Sequence, residues 1–460
     1  MIVGIAIQAH PTDMQRKIIS QWIGCARFVW NAKCDEQNYL CWYAQKYLPV
    51  DTTVPYDQTY SQYKNKDLSP WLYDCPSQIL RNSVVNWYNT QDNFIKGKCG
   101  RPNKKRKSDG GSIHLTKEVF CFEKCSDGVT RLFIGTKSKN IGYLSIKNHK
   151  SYGESSSIRI KKKNGKYSVS FCYDDGVNDQ GIISQEEHLD YLKSCSSEEL
   201  DKMTTGIDRG VKIPVQAGDN AYDLKKEQKA KKRKKEKYIK WQQKRLARQK
   251  KKSKRRDRTK KKISKAHEKI SNINRDFCHK TSRKIVNDEN TQVIILEDLK
   301  TKQMTKAPKP KKDEETGKWV KNNAAAKAGL NRAILDKGWH RLENYITYKA
   351  NKKGKVCFKI PANYTSQECA DCQHIHPNNR KSQEAFCCER CGHKENADKN
   401  AARVIKKRAI NLILNPGTGL SKRGVLVDIG RGAVNQTPGA DASGARGKET
   451  SKNKVKASTA

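Results

Sequence analysis

The stretch "TSQECADCQHIHPNNRKSQEAFCCERCGHKENADKNAA", residues 365–402, carries five cysteines followed by an aspartate. Four of the cysteines form two CxxC pairs, Cys369/Cys372 and Cys388/Cys391. Two such pairs separated by about fifteen residues are the spacing of a zinc ribbon, in which four thiolates hold one tetrahedral Zn²⁺. "FCCERCG" offers Cys387 as well as Cys388, but only Cys388 makes a CxxC pair with Cys391. His374, His376 and His393 stand close by. Four thiolates already close the coordination sphere, so the histidines are expected on the surface or behind the ligands. A redox dithiol is the other chemistry open to a CxxC pair. The ribbon reading makes this zinc structural, one ion per chain.

Acids come next. Asp208 in "GIDRG" follows a short apolar run, Glu297 ends the apolar run "VIILE", and Asp398 opens "ADKNAARVIKKRAINLIL". Each has an ordinary explanation: a turn residue, a strand-end charge, a helix N-cap. Together, in a strongly basic chain, they point to metal-dependent phosphodiester hydrolysis. Such sites gather carboxylates around two Mg²⁺ ions about 3.5–4 Å apart, which stabilise the attacking and leaving oxygens. Mg²⁺ is hard and takes oxygen ligands. Asp298 is an alternative to Glu297, but it should point to the opposite face of the strand.

The substrate class follows from charge. Against 48 Asp and Glu the chain sets 94 Lys and Arg, a net +46. That excess opposes compaction unless a polyanion neutralises it, and nucleic acid is the natural partner because each neutralised phosphate releases counterions. Residues 225–265 hold 24 Lys or Arg against three acids. Lys250, Lys251, Lys252, Arg255 and Arg256 are the nucleic-acid contacts expected there; a merely solvated helix is the alternative. The cluster "GRPNKKRKSDGG" adds Arg101, Lys104 and Lys105. Lys and Arg position phosphates without reading sequence. Trp22, Phe28, Trp30, Trp87, Tyr88 and Phe94 are expected in a helical core rather than as stacking platforms. No long apolar span or lipidation motif suggests a membrane partner. The opening "MIVGIAIQAHPTDMQRK" does not read as a signal peptide, so the sixteen cysteines read as thiols or metal ligands in a prokaryotic cytoplasm.

These residues need a scaffold, and the period of the apolar positions outlines it. "IVGIAIQ" alternates as a strand. Residues 12–98 read as helices, with Pro76 and Ser77 at one start. From 111 to 175 the period is two, and "SIRIKKKNGKYSVSFCYDD" reads as a hairpin around Asn164-Gly165. A β-barrel over 1–11 and 99–177, with 12–98 as a helical insertion, is the expected first domain. Residues 178–203 read as a linker. "TTGIDRGVKIPVQA" reads as two strands about a tight turn at Arg209-Gly210, "QVIILEDL" as a buried strand, "GLNRAILDKGWHRLENYITYKANKKG" as one amphipathic helix and "KVCFKI" as another strand. Residues 416–460, rich in Gly, Ser, Ala and Lys, read as a disordered tail.

"GIDRG", "ILEDL", the paired CxxC and "NADKNAARVI", in this order over roughly 204–414, resemble the C-terminal half of the transposon-encoded TnpB proteins, which the smallest type V CRISPR nucleases share. "GCARFVWN" and "GRPNKKRK" extend the resemblance more weakly towards the N-terminus. It implies a multidomain α+β protein. A wedge-like N-terminal β-barrel with a helical recognition insertion precedes an RNase H/RuvC-like α/β nuclease domain (204–364 and 394–415) interrupted by the zinc ribbon (365–393). It implies that Asp208, Glu297 and Asp398 are catalytic, with Mg²⁺, a guide RNA and a double-stranded DNA target as cofactors and partners. It also implies a monomer working on the nucleoid. Arg209 departs from the pattern, which usually has an apolar residue there, and so does Gln373, where glycine commonly follows the first knuckle. A compact CRISPR effector shares this chemistry; a non-cleaving DNA-binding regulator or transposition accessory protein is the alternative of another class.

Overall fold

The computed structural model describes residues 2–107, 110–124, 130–147, 152–176, 183–382, 384–421 and 423–428. These divide between two compact units, one within Met1–Gly181 and Lys229–Asn272, the other within Ile182–Gln228 and from Ile273 onward.

In the first unit, β1 (Ile2–Ala9) leads into α1 (Asp13–Tyr47) and α2 (Ser77–Ile95). β2 (Gly111–Thr116), β3 (Phe120–Lys124), β4 (Thr130–Gly135), β5 (Asn140–Leu144), β6 (Ser157–Lys163) and β7 (Lys166–Asp174) follow. A capping box starts α1: Thr12 Oγ1 accepts from the Gln15 amide while Gln15 Oε1 accepts from that of Thr12. The β6–β7 hairpin turns on Asn164 and Gly165, both left-handed with φ 52° and 81°, as a type I′ turn requires. The expected barrel is not closed. The strands form two sheets, β1-β7-β6-β2 and β3-β4-β5, because a 3₁₀ turn at Lys117–Val119 carries the chain out of the first and into the second. An isolated bridge, Ala9 to Ile146, joins them.

The helices are no separate domain. Ile19, Trp22, Val29, Leu80 and Val84 share one core with Ile113, Leu115, Ile158, Ile160 and Val169 of the strands. Of the aromatics expected inside, Trp22, Trp30 and Trp87 are buried. Phe28 and Phe94 are 39% and 37% exposed, and Phe28 meets the edge of Trp71 at 4.9 Å.

The second unit starts with α3 (Gln185–Lys193) and α4 (Ser197–Met203), where the sequence suggested a linker. Capping boxes at Ser184/Glu187 and Ser196/Glu199 start both helices, and Leu189, Leu192 and Leu200 bury their apolar side. Residues 177–182 lie outside the described ones. β8 (Thr204–Asp208), β9 (Val215–Ala217) and β10 (Asn220–Tyr222) precede the basic helices α5 (Lys226–Ala247) and α6 (Lys254–Asn287). After them come β11 (Val293–Glu297), α7 (Thr301–Met304), β12 (Lys311–Lys312), β13 (Trp319–Val320), α8 (Ala324–Lys337), α9 (Trp339–Lys352) and β14 (Val356–Ile360). β15 (Ala385–Cys387), β16 (Lys394–Asn396), α10 (Ala397–Leu414), β17 (Thr418–Leu420) and β18 (Leu426–Asp428) complete the order, with Lys229–Asn272 of α5 and α6 belonging to the first unit.

Three expectations change here. The chain between β8 and β9 runs through residues 209–214 rather than a tight turn. The single helix expected across 329–354 is two, because Gly338 is left-handed at φ 71°. The start of the expected disordered tail is a hairpin: β17 pairs with β18, Val425 bridges Lys359, and Leu426 is buried. Residues 429–460 lie outside the described ones.

The main sheet runs β10-β9-β8-β11-β14, with β8, β11 and β14 parallel. Alternation sorts its residues. Val293, Ile295, Val356 and Phe358 face α3, α4 and α10 through Leu189, Leu200, Ile405 and Ile410. Ile294, Leu296 and Cys357 face α6 and α9 through Phe277, Ile285, Leu342 and Ile346. In β8 the residue facing α10 is Gly206, where an added Cβ would sit 2.2 Å from the Ala402 carbonyl oxygen and 2.8 Å from the Lys406 nitrogen. Only glycine lets strand and helix approach this closely. Gly206→Ala is therefore expected to cost about 2 kcal/mol, read as a lowered urea midpoint by tryptophan fluorescence; unchanged stability would mean the β8–α10 contact is loose.

Candidate active site and metal centre

Glu297 shares the face of Val293 and Ile295, four and two residues before it; Asp208 shares the face of Gly206. Both therefore lie on the α10 side. Leu296 pairs with Ile207 in the parallel register of β11 and β8, so the two acids stand side by side at the strands' C-terminal ends. Asp398 is on the first turn of α10. It is not the helix cap: Asn396 takes that role, its side-chain oxygen accepting from the amides of Asp398 at 3.0 Å and Lys399 at 3.3 Å. The Asp398 carboxylate is thus left free for other work, 3.7 Å from Arg380 Nη2.

The acids feel one another. Burial, with the charges of Glu297 and Asp398 added, pushes the Asp208 carboxyl up to about 7, against the pull of Arg380. Burial also raises Glu297, opposed by the Thr365 hydroxyl and Arg209, and raises Asp398, opposed by Arg380 and Lys212. The Thr365 hydroxyl donates to Glu297 Oε1 and fixes its orientation. Three oxygen-donor acids that resist ionising side by side fit divalent cations, whose charge removes the repulsion. Asp298, the alternative, turns elsewhere: Arg423 Nη2 donates to its Oδ2 at 3.0 Å.

Arg209, the departure in "GIDRG", is 4% exposed. Its Nη1 donates to Glu343 Oε2 at 2.9 Å, and its Nη2 to the Glu297 carbonyl oxygen. Lys359 Nζ lies 2.6 Å from the other oxygen of Glu343. Glu343 on α9 therefore makes a buried arginine tolerable, and the arginine ties the end of β8 to the end of β11. No pattern in the sequence pairs these residues, which stand 134 apart.

The four sulfurs of Cys369, Cys372, Cys388 and Cys391 lie within 4.8 Å of one another, with Cys369–Cys391 at 3.6 Å and Cys372–Cys388 at 3.5 Å. A tetrahedron of roughly 2.3 Å Zn–S bonds has edges of about 3.8 Å, so the set fits zinc. The three carboxylates are not gathered on one point in this way. Cys387 stays outside the cluster, on β15. His393 Nδ1 is 2.8 Å from Asp371, and His376 Nδ1 is 2.6 Å from Glu389, so both turn to carboxylates rather than to sulfur. Each knuckle ends left-handed, at Gly392 with φ 73° and at Gln373 with φ 59°; Gln373 occupies a conformation that glycine adopts more easily.

α10 clamps this ribbon. Asn400, fully buried, accepts from the Ala370 amide at 3.0 Å and donates to the Glu368 carbonyl at 2.8 Å. Lys407 Nζ donates to the Ala370 carbonyl, and Arg408 pairs with Glu368. The first knuckle is thus fastened to the helix that carries Asp398. Asn400 stood inside the quoted "NADKNAARVI", but nothing in its spacing marked it as a clamp.

The basic residues sort unequally. Lys250, Lys251 and Lys252 are exposed in the loop between α5 and α6, as is Arg255 at the start of α6. Arg256 instead turns inward, its Nη1 donating to the carbonyls of Leu246 and Gln249. Arg101 is exposed, Lys104 pairs with Asp35, and Lys105 Nζ lies 3.2 Å from the centroid of the Trp30 ring.

Three sequence-family models match: "Helix-turn-helix domain" over 1–38, "Probable transposase" over 184–307 and "Cas12f1-like, TNB domain" over 339–405. The first falls on β1 and the unbroken front of α1. The chain is 28% identical to the "Putative RNA-guided DNA endonuclease InsQ" of Escherichia coli (strain K12) over 403 residues, 86% of this chain and 90% of that one. It is 42% identical to the "CRISPR-associated endodeoxyribonuclease Cas12f1" of Sulfoacidibacillus thermotolerans over 76 residues, 16% of this chain and 18% of that one. In fold it resembles the chain solved in a cryo-EM structure of a Cas12f1-sgRNA-target DNA complex. The TM-score is 0.51 at 14% identity, covering 86% of this chain and 83% of that one. The architecture is thus a mixed α+β multidomain fold of the Cas12f kind. The chain is similar to InsQ over most of both sequences and to Cas12f1 over a short stretch.

The raised Asp208 pKa has a measurable sign. Its folded value lies above the ordinary carboxylate range of about 4, so between about pH 4 and 7 the folded state binds more protons than the unfolded. Stability should fall as pH rises through that window. Metal-free protein should melt lower at pH 7.5 than at 5.5, and Asp208→Asn should flatten that decline. Added Mg²⁺ should raise the melting temperature more at pH 7.5. A Mg²⁺ effect equal at both values would contradict the shared site.

Proposed function

We propose that this chain is a transposon-encoded, RNA-guided DNA endonuclease. It hydrolyses phosphodiester bonds of target DNA beside a short duplex motif. The observation that carries this reading is the placement of Asp208, Glu297 and Asp398 on one face, at the ends of two adjacent parallel strands and the first turn of the helix packed on them. Similarity to InsQ over most of both chains supports it.

Asp208, Glu297 and Asp398 would hold two Mg²⁺ ions, which would supply water activation and stabilisation of the leaving oxygen. Thr365 holds the Glu297 carboxylate in one orientation. Asn396 keeps Asp398 from being spent on the helix terminus. Arg380 offsets the negative charge beside Asp398. Zinc on Cys369, Cys372, Cys388 and Cys391 would be structural and keep the ribbon folded on α10. The nuclease body is 204–364 with 394–415, interrupted by the ribbon at 365–393, and acts as a monomer on the nucleoid. Lys250, Lys251, Lys252, Arg255 and Arg101 meet the guide RNA or target backbone, while base pairing reads sequence and the protein reads shape and a short motif.

Supplied with its copurified RNA, Mg²⁺ and a matching double-stranded target carrying the adjacent motif, the protein should cut. EDTA should stop it. Asp208→Ala should slow cutting by about 10²–10³-fold or more while target binding, read by gel shift, stays within about threefold, since the carboxylate acts on the transition state. Binding without cutting by the natural chain would favour the regulator reading.

A further inference from the structure

We infer that the elbow between α5 and α6 is a pocket for one unpaired nucleotide of RNA. This deepens the RNA-guided reading and rests on it for the identity of the strand. A cavity of about 520 Å³ opens there, lined by Trp241, Lys244, Arg245, Arg248, Gln249 and Arg255. Four cations, one aromatic and one amide make up the wall, with no acid among them.

Each type has a distinct part. Trp241 is 55% exposed, a large cost in unburied apolar area for a core residue but the right posture for a stacking platform. Tyr238 tilts against it at 5.9 Å, and the Arg245 guanidinium lies 5.9 Å from its ring centroid. Base–aromatic stacking accepts any base, because every base has a π-face. The cations would neutralise the phosphates on either side of the stacked nucleotide.

The pocket is held ready by its own backbone. Arg256 Nη1 donates to the carbonyls of Leu246 and Gln249, and the Ser253 hydroxyl accepts from the Arg256 amide at 3.2 Å. Lys252 is left-handed at φ 64°, which closes the turn. Arg256, counted from sequence as a nucleic-acid contact, therefore builds the pocket and leaves the binding to its neighbours.

Such a site selects unpaired over paired strands. Bases in an A-form duplex are stacked on one another and hide their faces, whereas loops and bulges splay them out for aromatic side chains. A purely electrostatic helix would bind duplex and single strand alike.

The test uses the full chain freed of copurified RNA. Fluorescein-labelled 12-nucleotide single-stranded RNA, the same sequence as single-stranded DNA, and a 12-base-pair RNA duplex are titrated by anisotropy at several salt concentrations. Trp241→Ala should weaken single-stranded RNA binding about tenfold, with the salt slope unchanged because no charge is removed. Duplex binding should stay within about twofold of the natural chain. Trp241→Phe should recover most of the loss. Lys244→Gln together with Arg248→Gln should weaken both single-stranded RNA and duplex and flatten the salt slope, because those cations neutralise phosphates. Equal single-stranded RNA affinity in Trp241→Ala and the natural chain overturns the pocket. An equal loss for duplex also overturns it, since the residue would then be shaping the helix. Single-stranded DNA should lose about as much, because stacking and phosphate contacts read no 2′-hydroxyl; an unchanged DNA affinity in Trp241→Ala overturns the stacking account. A natural chain that binds none of the three probes tells against the RNA-guided reading itself, a result distinct from the others.

Discussion

Three carboxylates on one face of the second unit stand in a partly dry place, and burial makes each of them resist ionising. The parallel ladder between β8 and β11 sets Asp208 beside Glu297. Gly206 lets α10 lie close enough on β8 to present Asp398. The opposition shows in Asp208, driven up to about 7 by burial and by its two neighbours.

Behind the acids a second set of charges works in the opposite sense. Arg209 is buried beneath them, satisfied by Glu343, which Lys359 also reaches. One acid between two bases leaves a net positive charge under the carboxylates, and the Arg209 guanidinium also joins the Glu297 carbonyl. The zinc ribbon reaches the same place from the other side. Asn400, Lys407 and Arg408 grip its first knuckle, so that the four-cysteine element is fastened to the helix carrying the third acid. This is how the four-cysteine cluster and Asp398 come to stand so close in sequence.

What sequence made legible was whatever local chemistry dictates. The CxxC spacing named the four thiolates, apolar runs ending in acids placed Asp208 and Glu297 at strand ends, and Asn164-Gly165 fixed a hairpin. The helices over 184–203 were readable too: Ser184 with Glu187 and Ser196 with Glu199 are capping boxes, outweighed by the polar composition around them. Other features depend on residues that sequence cannot pair. Two sheets in place of a barrel follow from one short turn after β2. The hairpin at 418–428 exists because β14 offers Lys359 as an edge partner for Val425. The roles of Arg209, Asn400 and Gly206 each need a partner more than 100 residues away or, for Asn400, 30 away on a separate loop.

The convergence of the three acids can be observed without any nucleic acid. Fe²⁺ replaces Mg²⁺ in oxygen-ligand sites and, with ascorbate and peroxide, releases hydroxyl radicals that cut the nearest backbone. Mass mapping of the fragments should locate cuts around residues 208, 297 and 398 together, suppressed by excess Mg²⁺ and lost in Asp208→Ala. Cuts confined to the neighbourhood of one acid, or a pattern unchanged in Asp208→Ala, would contradict a shared metal site.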